Sequence, residues 1–253
     1  MSGRHYTDQS IGKFFTEAHE PVWTPPVKVQ HKTLPGWFPT RKCAHGKIRF
    51  RSPLMADALM HYDVDPQVAK IASYPIKLTY ASAVRGGARK HEFIPDLAIL
   101  MKDGSVTFLS FERYLTVKSR RWMKARTEYL KEFFSLHYGC EYELLDERTI
   151  HQQPLFNNVI TMWSHRRMQH DNVPLGAFRQ ALRAVPMPST IGQLMDDVWL
   201  QSKNGRFAGK AYPSREKVPT FSAIMQLVIS GELDMPLDQP FSRQTPVFRM
   251  FGE

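Results

Sequence analysis

The sequence predicts an α/β fold in which a mixed sheet flanked by helices precedes a smaller α+β domain. Strand and helix patterns alternate through the first part of the chain, and an Asp103-Gly104 turn signal joins two apolar runs there. Mainly helical patterns follow Pro154. We therefore expect an N-terminal arm over residues 1–45, a first domain over 46–153 and a second over 154–253.

Composition and charge limit the classes of protein to which the chain can belong. Hydrophobic residues make up 42% of its 253 residues and charged residues 23%, which is sufficient for a core. The 34 Lys and Arg exceed the 24 Asp and Glu, and the net charge of +10 favours a polyanionic partner. The sequence shows no apolar run of membrane-spanning length and no secretory signal, so we expect a cytoplasmic protein without a membrane partner. Cys43 and Cys140 lack the spacing of a zinc site.

The elements that precede the turn signal follow from local patterns. Residues 1–45 are rich in Pro, Gly and aromatics without a sustained period, which predicts an ordered but irregular arm. Alternation over residues 47–51 predicts a short strand. Ser52 followed by Pro53 predicts the N-cap and first residue of a helix. A second strand is predicted over residues 71–80.

The Asp103-Gly104 signal predicts a hairpin with strands over residues 93–100 and 106–111. Asp96 lies inside the first of these strands, among Ile and Leu residues. A carboxylate in that position is costly to bury unless it meets a cation, a hydrogen-bond donor or a metal ion. Asp96 is therefore the first candidate functional residue.

A long amphipathic helix is predicted over residues 119–137, ended by Gly139. Its apolar positions are Trp122, Ala125, Tyr129, Phe133 and Leu136, and its other face carries Arg120, Arg121, Lys124, Arg126 and Lys131. A strand over residues 140–145 and a short helix over residues 146–153 follow. This order of elements predicts a mixed sheet with helices on its faces.

The last hundred residues have a different pattern. Helices are predicted over 155–167, 175–185, 190–200 and 220–230, and short strands over 233–235 and 246–249. Two helices followed by a pair of strands are typical of a small winged-helix domain.

Several short motifs also occur in an order that is found in one family. These are Gly36-Trp37-Phe38-Pro39-Thr40-Arg41-Lys42, Phe50-Arg51-Ser52-Pro53-Leu54-Met55, Phe93-Ile94-Pro95-Asp96, the segment from Asp103-Gly104 to Glu112, and the segment from Gly139 to Leu145. In this respect the chain resembles the TnsA family of transposon endonuclease subunits. The resemblance implies a restriction-endonuclease-like domain followed by a winged-helix domain.

The resemblance also implies where catalytic groups belong. In such nucleases carboxylates hold Mg²⁺, and a lysine on the same strand face activates water. The first catalytic Glu corresponds to Met55, the Asp to Asp96, the strand Glu or Gln to Ser110, and the Lys to Glu112. A thioether is a poor ligand for a hard cation, so Met55 makes the motif degenerate and is most simply a core residue.

Three functional hypotheses follow. In the first, the chain is a DNA-binding subunit of a TnsA-like transposition complex with an inactivated nuclease centre, no cofactor, and a transposase or ATPase partner. In the second, Asp96 and Glu112 hold Mg²⁺ with help from Ser110, Lys118 supplies a cation, and the chain cleaves DNA at transposon 5′ ends. In the third, the chain is a winged-helix DNA-binding regulator whose first domain serves only to form a homo-oligomer.

The candidate DNA-binding residues lie on or next to a Gly-rich link over residues 84–89, on or shortly before the long helix, and at residues 166 and 167. They are Arg85, Arg89, Lys90, Arg113, Lys118, Arg120, Arg121, Lys124, Arg126, Arg166 and Arg167. Structural alternatives remain open for several of the candidates. The basic helix face suits solvent as well, Asp96 suits a carboxylate bonded to backbone amides or to Arg113, and Glu112 suits a surface pair with Arg113 or Lys118.

Overall fold

The computed structural model describes residues 9–26, 34–84, 87–167, 175–201 and 218–250. The described residues divide into two compact units, one containing residues up to 63 and 67–152, the other containing 64–66 and the residues from 153 onward. The fold is mixed α/β, with helices and several sheets, as the sequence predicts. Each unit is described separately below.

The predicted irregular arm contains regular structure in its described part. Its elements are helix α1 (Gln9–Gly12), a 3₁₀ turn (Lys13–Phe15) and strand β1 (Gly36–Pro39), which pairs antiparallel with β2 (Lys47–Phe50). Phe14 and Phe15 are buried, and the Phe14 ring meets the edge of Phe108 with centroids 6.2 Å apart. The arm therefore supplies core residues to the first unit.

Helix α2 (Pro53–Val64) begins where the Ser-Pro signal predicts. The Ser52 hydroxyl accepts a hydrogen bond from the Met55 backbone N–H at 3.3 Å, which confirms Ser52 as the N-cap. Met55, Ala58 and Leu59 are almost completely buried. The helix therefore contributes its apolar side chains to the core of the first unit.

The single strand predicted over residues 71–80 is wrong, because two strands are present. They are β3 (Val68–Ser73) and β4 (Leu78–Val84). Strand β3 ends just before Tyr74, whose φ of 47° lies in the left-handed region that a bulky side chain rarely adopts. Ile71 and Leu78 are an odd number of positions apart, so one continuous strand would point them to opposite faces, whereas the turn at Tyr74 allows both to be buried.

The Gly-rich segment is not only a link. Strand β5 (Gly87–Phe93) pairs antiparallel with β4, and Val84 lies opposite Gly87. Residues 85 and 86 fall outside the described ranges. The segment is therefore the end of a two-stranded hairpin.

The hairpin at Asp103-Gly104 is confirmed, with strands β6 (Leu97–Met101) and β7 (Val106–Phe111). Gly104 has a φ of 88°, and the Asp103 carboxylate accepts a hydrogen bond from the Ser105 N–H at 2.9 Å. Its first strand is shorter than predicted, because Phe93 ends β5 and β6 begins only at Leu97. Asp96 therefore lies one residue before the strand instead of inside it.

The central sheet of the first unit is mixed. Its order is β3-β6-β7-β8, where β8 (Glu141–Leu145) is parallel to β7 and the other two pairs are antiparallel. Helices α3 (Tyr114–Ser119) and α4 (Arg121–Tyr138) connect β7 to β8, as a parallel pair requires. Gly139 ends α4 in the left-handed conformation, which confirms the predicted C-cap.

Helix α4 packs on one face of this sheet, in a different register from the one predicted. Phe134 stacks on Phe108 with centroids 4.3 Å apart and on Tyr142 at 5.6 Å. The buried positions are Met123, Leu130 and Phe134, whereas four of the five positions of the predicted apolar stripe, Trp122, Ala125, Tyr129 and Leu136, are exposed. Aromatic residues occur at several three- and four-residue steps along this helix, so the period alone does not select the buried stripe.

Short α5 (Glu147–Ile150) closes the first unit and is shorter than the predicted helix over 146–153. The second unit contains α6 (Leu155–Ser164), α7 (Leu175–Arg183), β9 (Ser189–Thr190), α8 (Ile191–Gln201), α9 (Val218–Ile229), β10 (Leu233–Asp234) and β11 (Pro246–Arg249). Helix α6 ends at Ser164, before the predicted limit of residue 167. Strand β9 is absent from the sequence prediction, and it makes a three-stranded antiparallel sheet of order β10-β11-β9.

Among the helices in the described ranges, none combines the length and the hydropathy that crossing a membrane requires.

Candidate functional site

A cleft of about 520 Å³ lies in the first unit, at the end of the sheet where β6 begins and β7 ends. Its charged lining residues are Arg51, Lys77, Arg126, Asp96, Glu92 and Glu112, and its aromatic ones are Trp23, Tyr74 and Phe93. Ser110 also lines it. The structure thus brings Asp96, Ser110 and Glu112, three of the four predicted catalytic candidates, to one cleft.

Asp96 is buried, and both of its carboxylate oxygens are hydrogen-bonded. Arg51 donates from Nε to Oδ1 at 2.6 Å and from Nη2 to Oδ2 at 2.9 Å, and the Phe111 backbone N–H also donates to Oδ2 at 2.9 Å. The partner cation is therefore Arg51, not the Arg113 that the sequence suggested, and Arg113 is exposed. This bidentate fork is the strongest common form of carboxylate recognition.

Arg51 is held by the end of β7 as well as by Asp96. Its Nη2 donates to the Phe111 carbonyl oxygen at 2.6 Å and lies 3.8 Å from Glu112 Oε1. Burial acts to lower the pKa of Arg51, but the charge of Asp96, the hydrogen bonds to it and the charge of Glu112 together raise that pKa above its usual value. A permanent positive charge thus lies between the two acids of the candidate metal site.

Tyr74 and Met55 form the neighbouring wall of this centre. Tyr74 is 1% exposed, its backbone N–H donates to the Asp96 carbonyl oxygen at 3.0 Å, and its hydroxyl donates to Met55 Sδ at 3.5 Å. Burial, followed by the charge of Asp96, raises the pKa of Tyr74, so its hydroxyl remains a donor. A left-handed bulky residue costs on the order of 1–3 kcal/mol, which the surrounding contacts must offset.

The residues present do not fit a magnesium site. A hard cation needs several oxygen ligands, but Asp96 already uses its oxygens for Arg51 and Phe111, and Met55 offers only sulfur. In the described part of the chain, no three His, Cys, Asp or Glu side chains are grouped as metal ligands. We therefore derive no catalytic step through a metal ion.

The predicted catalytic cation Lys118 does not line the cleft. It is exposed on α3, with its Nζ 5.7 Å from the centroid of the Tyr114 ring. The sequence suggested that Glu112 pairs at the surface with Arg113 or Lys118. In the structure its Oε1 lies 3.8 Å from Arg51 Nη2. The sequence thus predicted two acidic residues of the cleft, but the cation between them is Arg51 and not the predicted Lys118.

Arg126 differs from the other cations of the predicted basic face of the long helix, because it is half-buried. It lines the cleft, and its guanidinium carbon lies 5.2 Å from the centroid of the Phe93 ring and 4.9 Å from that of Trp122. Among the residues that the structure describes, its buried Nε has no hydrogen-bond partner, and the Ser110 and Tyr142 hydroxyls, which lie near each other, make no hydrogen bond of good geometry. Buried polar groups that are poorly satisfied in this way are unusual for a folded protein.

The other cations of α4 face solvent together with aromatic and apolar side chains. Arg120, Arg121 and Lys124 are exposed around the first turn, where no side chain caps the helix and no acidic residue is present. Cations at a helix N-terminus oppose the helix dipole, so this arrangement lowers the stability of the helix unless an anion binds. We call this exposed set, with Trp122 and Tyr129, the α4 surface.

The remaining candidate DNA-binding residues are dispersed. Lys90 is exposed on β5, Arg89 is described only through its backbone in that strand, and Arg85 lies outside the described residues. In the second unit, Arg167 is exposed, whereas Arg166 stacks on Trp163 at 3.6 Å and donates to the carbonyl oxygen of that residue. Arg166 therefore contributes to the end of its own helix.

Arg51 is the residue that sequence reasoning missed. The alternating pattern over residues 47–51 puts it on one strand face with Lys47 and Arg49, but β2 ends at Phe50. No local pattern pairs Arg51 with Asp96, which lies 45 positions later.

Family models and curated proteins were both compared with the chain, and neither comparison found a match.

Proposed function

We propose that the chain is a DNA-binding subunit of a TnsA-like transposition or mobile-element complex, in which Arg51 has taken the place of the catalytic metal ion. The observation that carries this proposal is the bidentate pair between Arg51 and Asp96, with Glu112 3.8 Å from the same guanidinium. A charged guanidinium compensates the acids that a divalent ion would otherwise bridge, but it does not activate a water molecule. The domain therefore binds DNA without cleaving it.

The α4 surface supports DNA as the partner. Its exposed cations supply phosphate contacts, and its exposed Trp122 and Tyr129 rings suit nucleotide stacking. Phosphate bound at the first turn of α4 would also offset the unfavourable interaction between these cations and the helix dipole.

The second unit supports a winged-helix interpretation. The order α7, β9, α8, α9, β10, β11 places one strand between helices and a strand pair at the end, around one antiparallel sheet. However, α9 (Val218–Ile229) contains no charged residue, and most of it is buried. A helix that is buried all round does not read a DNA groove, so the interpretation of the chain as a winged-helix regulator has less support.

A protein partner is supported by apolar side chains near the α4 surface. Leu115 on α3 is 72% exposed and Leu136 on α4 is 74% exposed. We propose that these residues meet a transposase, an ATPase or a second copy of the chain.

A nicking assay tests the central part of the proposal. We expect the wild-type protein to leave supercoiled plasmid intact with Mg²⁺ or Mn²⁺, and Asp96→Asn to behave identically, because Asp96 holds Arg51 instead of a metal ion. Nicking that disappears in a folded Asp96→Asn variant would establish the alternative, an endonuclease that uses Asp96 and Glu112.

A further inference from the structure

Ser110 and Arg126, which line the cleft, and Tyr142, a core residue that does not line it, carry polar atoms that the Arg51–Asp96 pair does not use. Ser110 is 3% exposed and Tyr142 is 2% exposed; their hydroxyls lie near each other, and neither makes a hydrogen bond of good geometry with any residue that the structure describes. The buried Nε of Arg126 is also without a partner. Burying such atoms unpaired lowers the stability of the protein, so their presence needs a reason.

The fold brings these atoms together by register. Phe108 lies opposite Tyr142 across the parallel pair β7–β8, so these two side chains and Ser110, two residues after Phe108, share one face of the sheet. Arg126, Leu130 and Phe134 follow at four-residue steps on α4, and the last two are buried against that face. Arg126 therefore continues the buried stripe of α4 towards Ser110.

The chemistry of the group selects an anion. Burial, with smaller contributions from the charges of Asp96 and Glu112, raises the pKa of Tyr142 to about 12, while a hydrogen-bonding interaction with the Ser110 side chain and the charge of Arg126 act to lower it, so Tyr142 stays a neutral donor. Ser110 also has a donor, and Arg126 adds a permanent charge. Arg126 forms no ion pair with any residue in the described ranges, and its face lies against the Phe93 and Trp122 rings, which leaves its N–H edge for a ligand.

The acidic residues of the cleft do not abolish the preference of this group for an anion. Asp96 is paired with Arg51, and Glu92 is paired with Lys77 at 2.8 Å. Glu112 lies 3.8 Å from Arg51, which offsets part of its charge. Arg126 remains as the cation of the cleft whose charge no described acid pairs with.

We propose that Ser110 and Arg126, with the Tyr142 hydroxyl next to Ser110, form a binding site for the phosphate group of a nucleotide, at the end of the cleft beside the α4 surface. Trp23, which is 37% exposed on the cleft wall, gives the attached base a ring on which to stack. The inference deepens the proposed function and rests on it for the source of the nucleotide, a strand of the bound DNA. The phosphate is either an internal phosphodiester or the monophosphate at a strand end.

Titration calorimetry of the full chain with thymidine 5′-monophosphate tests the site. The wild type is expected to bind it, to bind thymidine much more weakly, and to lose about tenfold in affinity for the monophosphate on Ser110→Ala and more on Arg126→Gln. Ser110→Ala should at the same time raise the unfolding midpoint, because it removes a buried unpaired hydroxyl. Ser135→Ala, at an exposed position of α4, is the matched control and should change neither quantity.

Two oligonucleotides that differ only in a 5′ phosphate identify the source. Tighter binding of the phosphorylated strand, lost in Ser110→Ala, assigns the site to a strand end, and equal binding that is weakened by Ser110→Ala assigns it to a phosphodiester. The proposal is overturned if the wild type does not bind the monophosphate, or if the two cleft variants bind it as the wild type does. That failure leaves duplex binding through Arg120, Arg121 and Lys124 intact, whereas failure of the proposed function would abolish duplex binding without affecting the monophosphate.

Discussion

Replacing Arg51 by methionine is expected to lower the free energy of unfolding by about 3 kcal/mol, because it leaves the Asp96 carboxylate buried without its cation. The side chain of Asp96 is 5% exposed, and of its described donors the Phe111 N–H alone would remain. The Arg51 side chain is 24% exposed, so its own loss costs less than that of a fully buried ion. Urea unfolding of the folded variant measures the change.

A double-mutant cycle at positions 51 and 96 separates the effect of charge from the effect of packing. An asparagine at position 96 still accepts the Phe111 hydrogen bond, so the double variant Arg51→Met/Asp96→Asn is expected to be more stable than Arg51→Met alone. The coupling energy between the two positions should exceed about 1 kcal/mol. If the two substitutions are additive, the pair is not what holds the end of β7.

Replacing Arg120, Arg121 and Lys124 together by glutamine is expected to weaken duplex DNA binding on the order of 100-fold at 0.1 M salt. Three phosphate contacts account for about 2.7 units of the slope of log K against log salt, and the triple variant should lose that part. Because the three side chains are exposed, the fold should be retained. Gel shifts over a range of salt concentrations provide the measurement.

A single-charge comparison provides the control for net charge. Lys124→Gln should lower the slope by about one unit, and Lys102→Gln should not change it. Lys102 is exposed beside the β6–β7 turn, at the opposite end of these strands from Asp96 and Ser110. Equal effects of both substitutions would show that only the total charge matters. Binding that survives the triple variant but needs residues 155–253 would favour a winged-helix regulator.

Local chemistry explains which elements could be predicted from the sequence. The Asp103-Gly104 turn and the Gly139 C-cap depend on φ values that glycine adopts easily, and Ser52 caps its helix through a bond to Met55 three residues away. Such signals need only neighbouring residues. Strand β9 has two residues and depends on β11, more than fifty positions later, so no local pattern indicates it.

The sequence predicted the acidic residues of the candidate site but not the positions of Arg51 and Arg126 in the cleft. Asp96 is conspicuous in an apolar run, but its partner Arg51 is 45 positions away, and alternation alone puts Arg51 on one strand face with Lys47 and Arg49. Arg126 belongs to the basic face predicted for the long helix, and its place in the cleft depends on a register of α4 that the rings of Phe108 and Tyr142, which belong to other elements, determine. Both errors arise from contacts that are distant in sequence.

Diffraction from crystals soaked in Mn²⁺, recorded for the anomalous signal of manganese, tests the central claim most directly. The account predicts no ordered ion between Asp96 and Glu112, and the Arg51 guanidinium still paired with Asp96. An anomalous peak that bridges the two carboxylates, with Arg51 displaced, would contradict it.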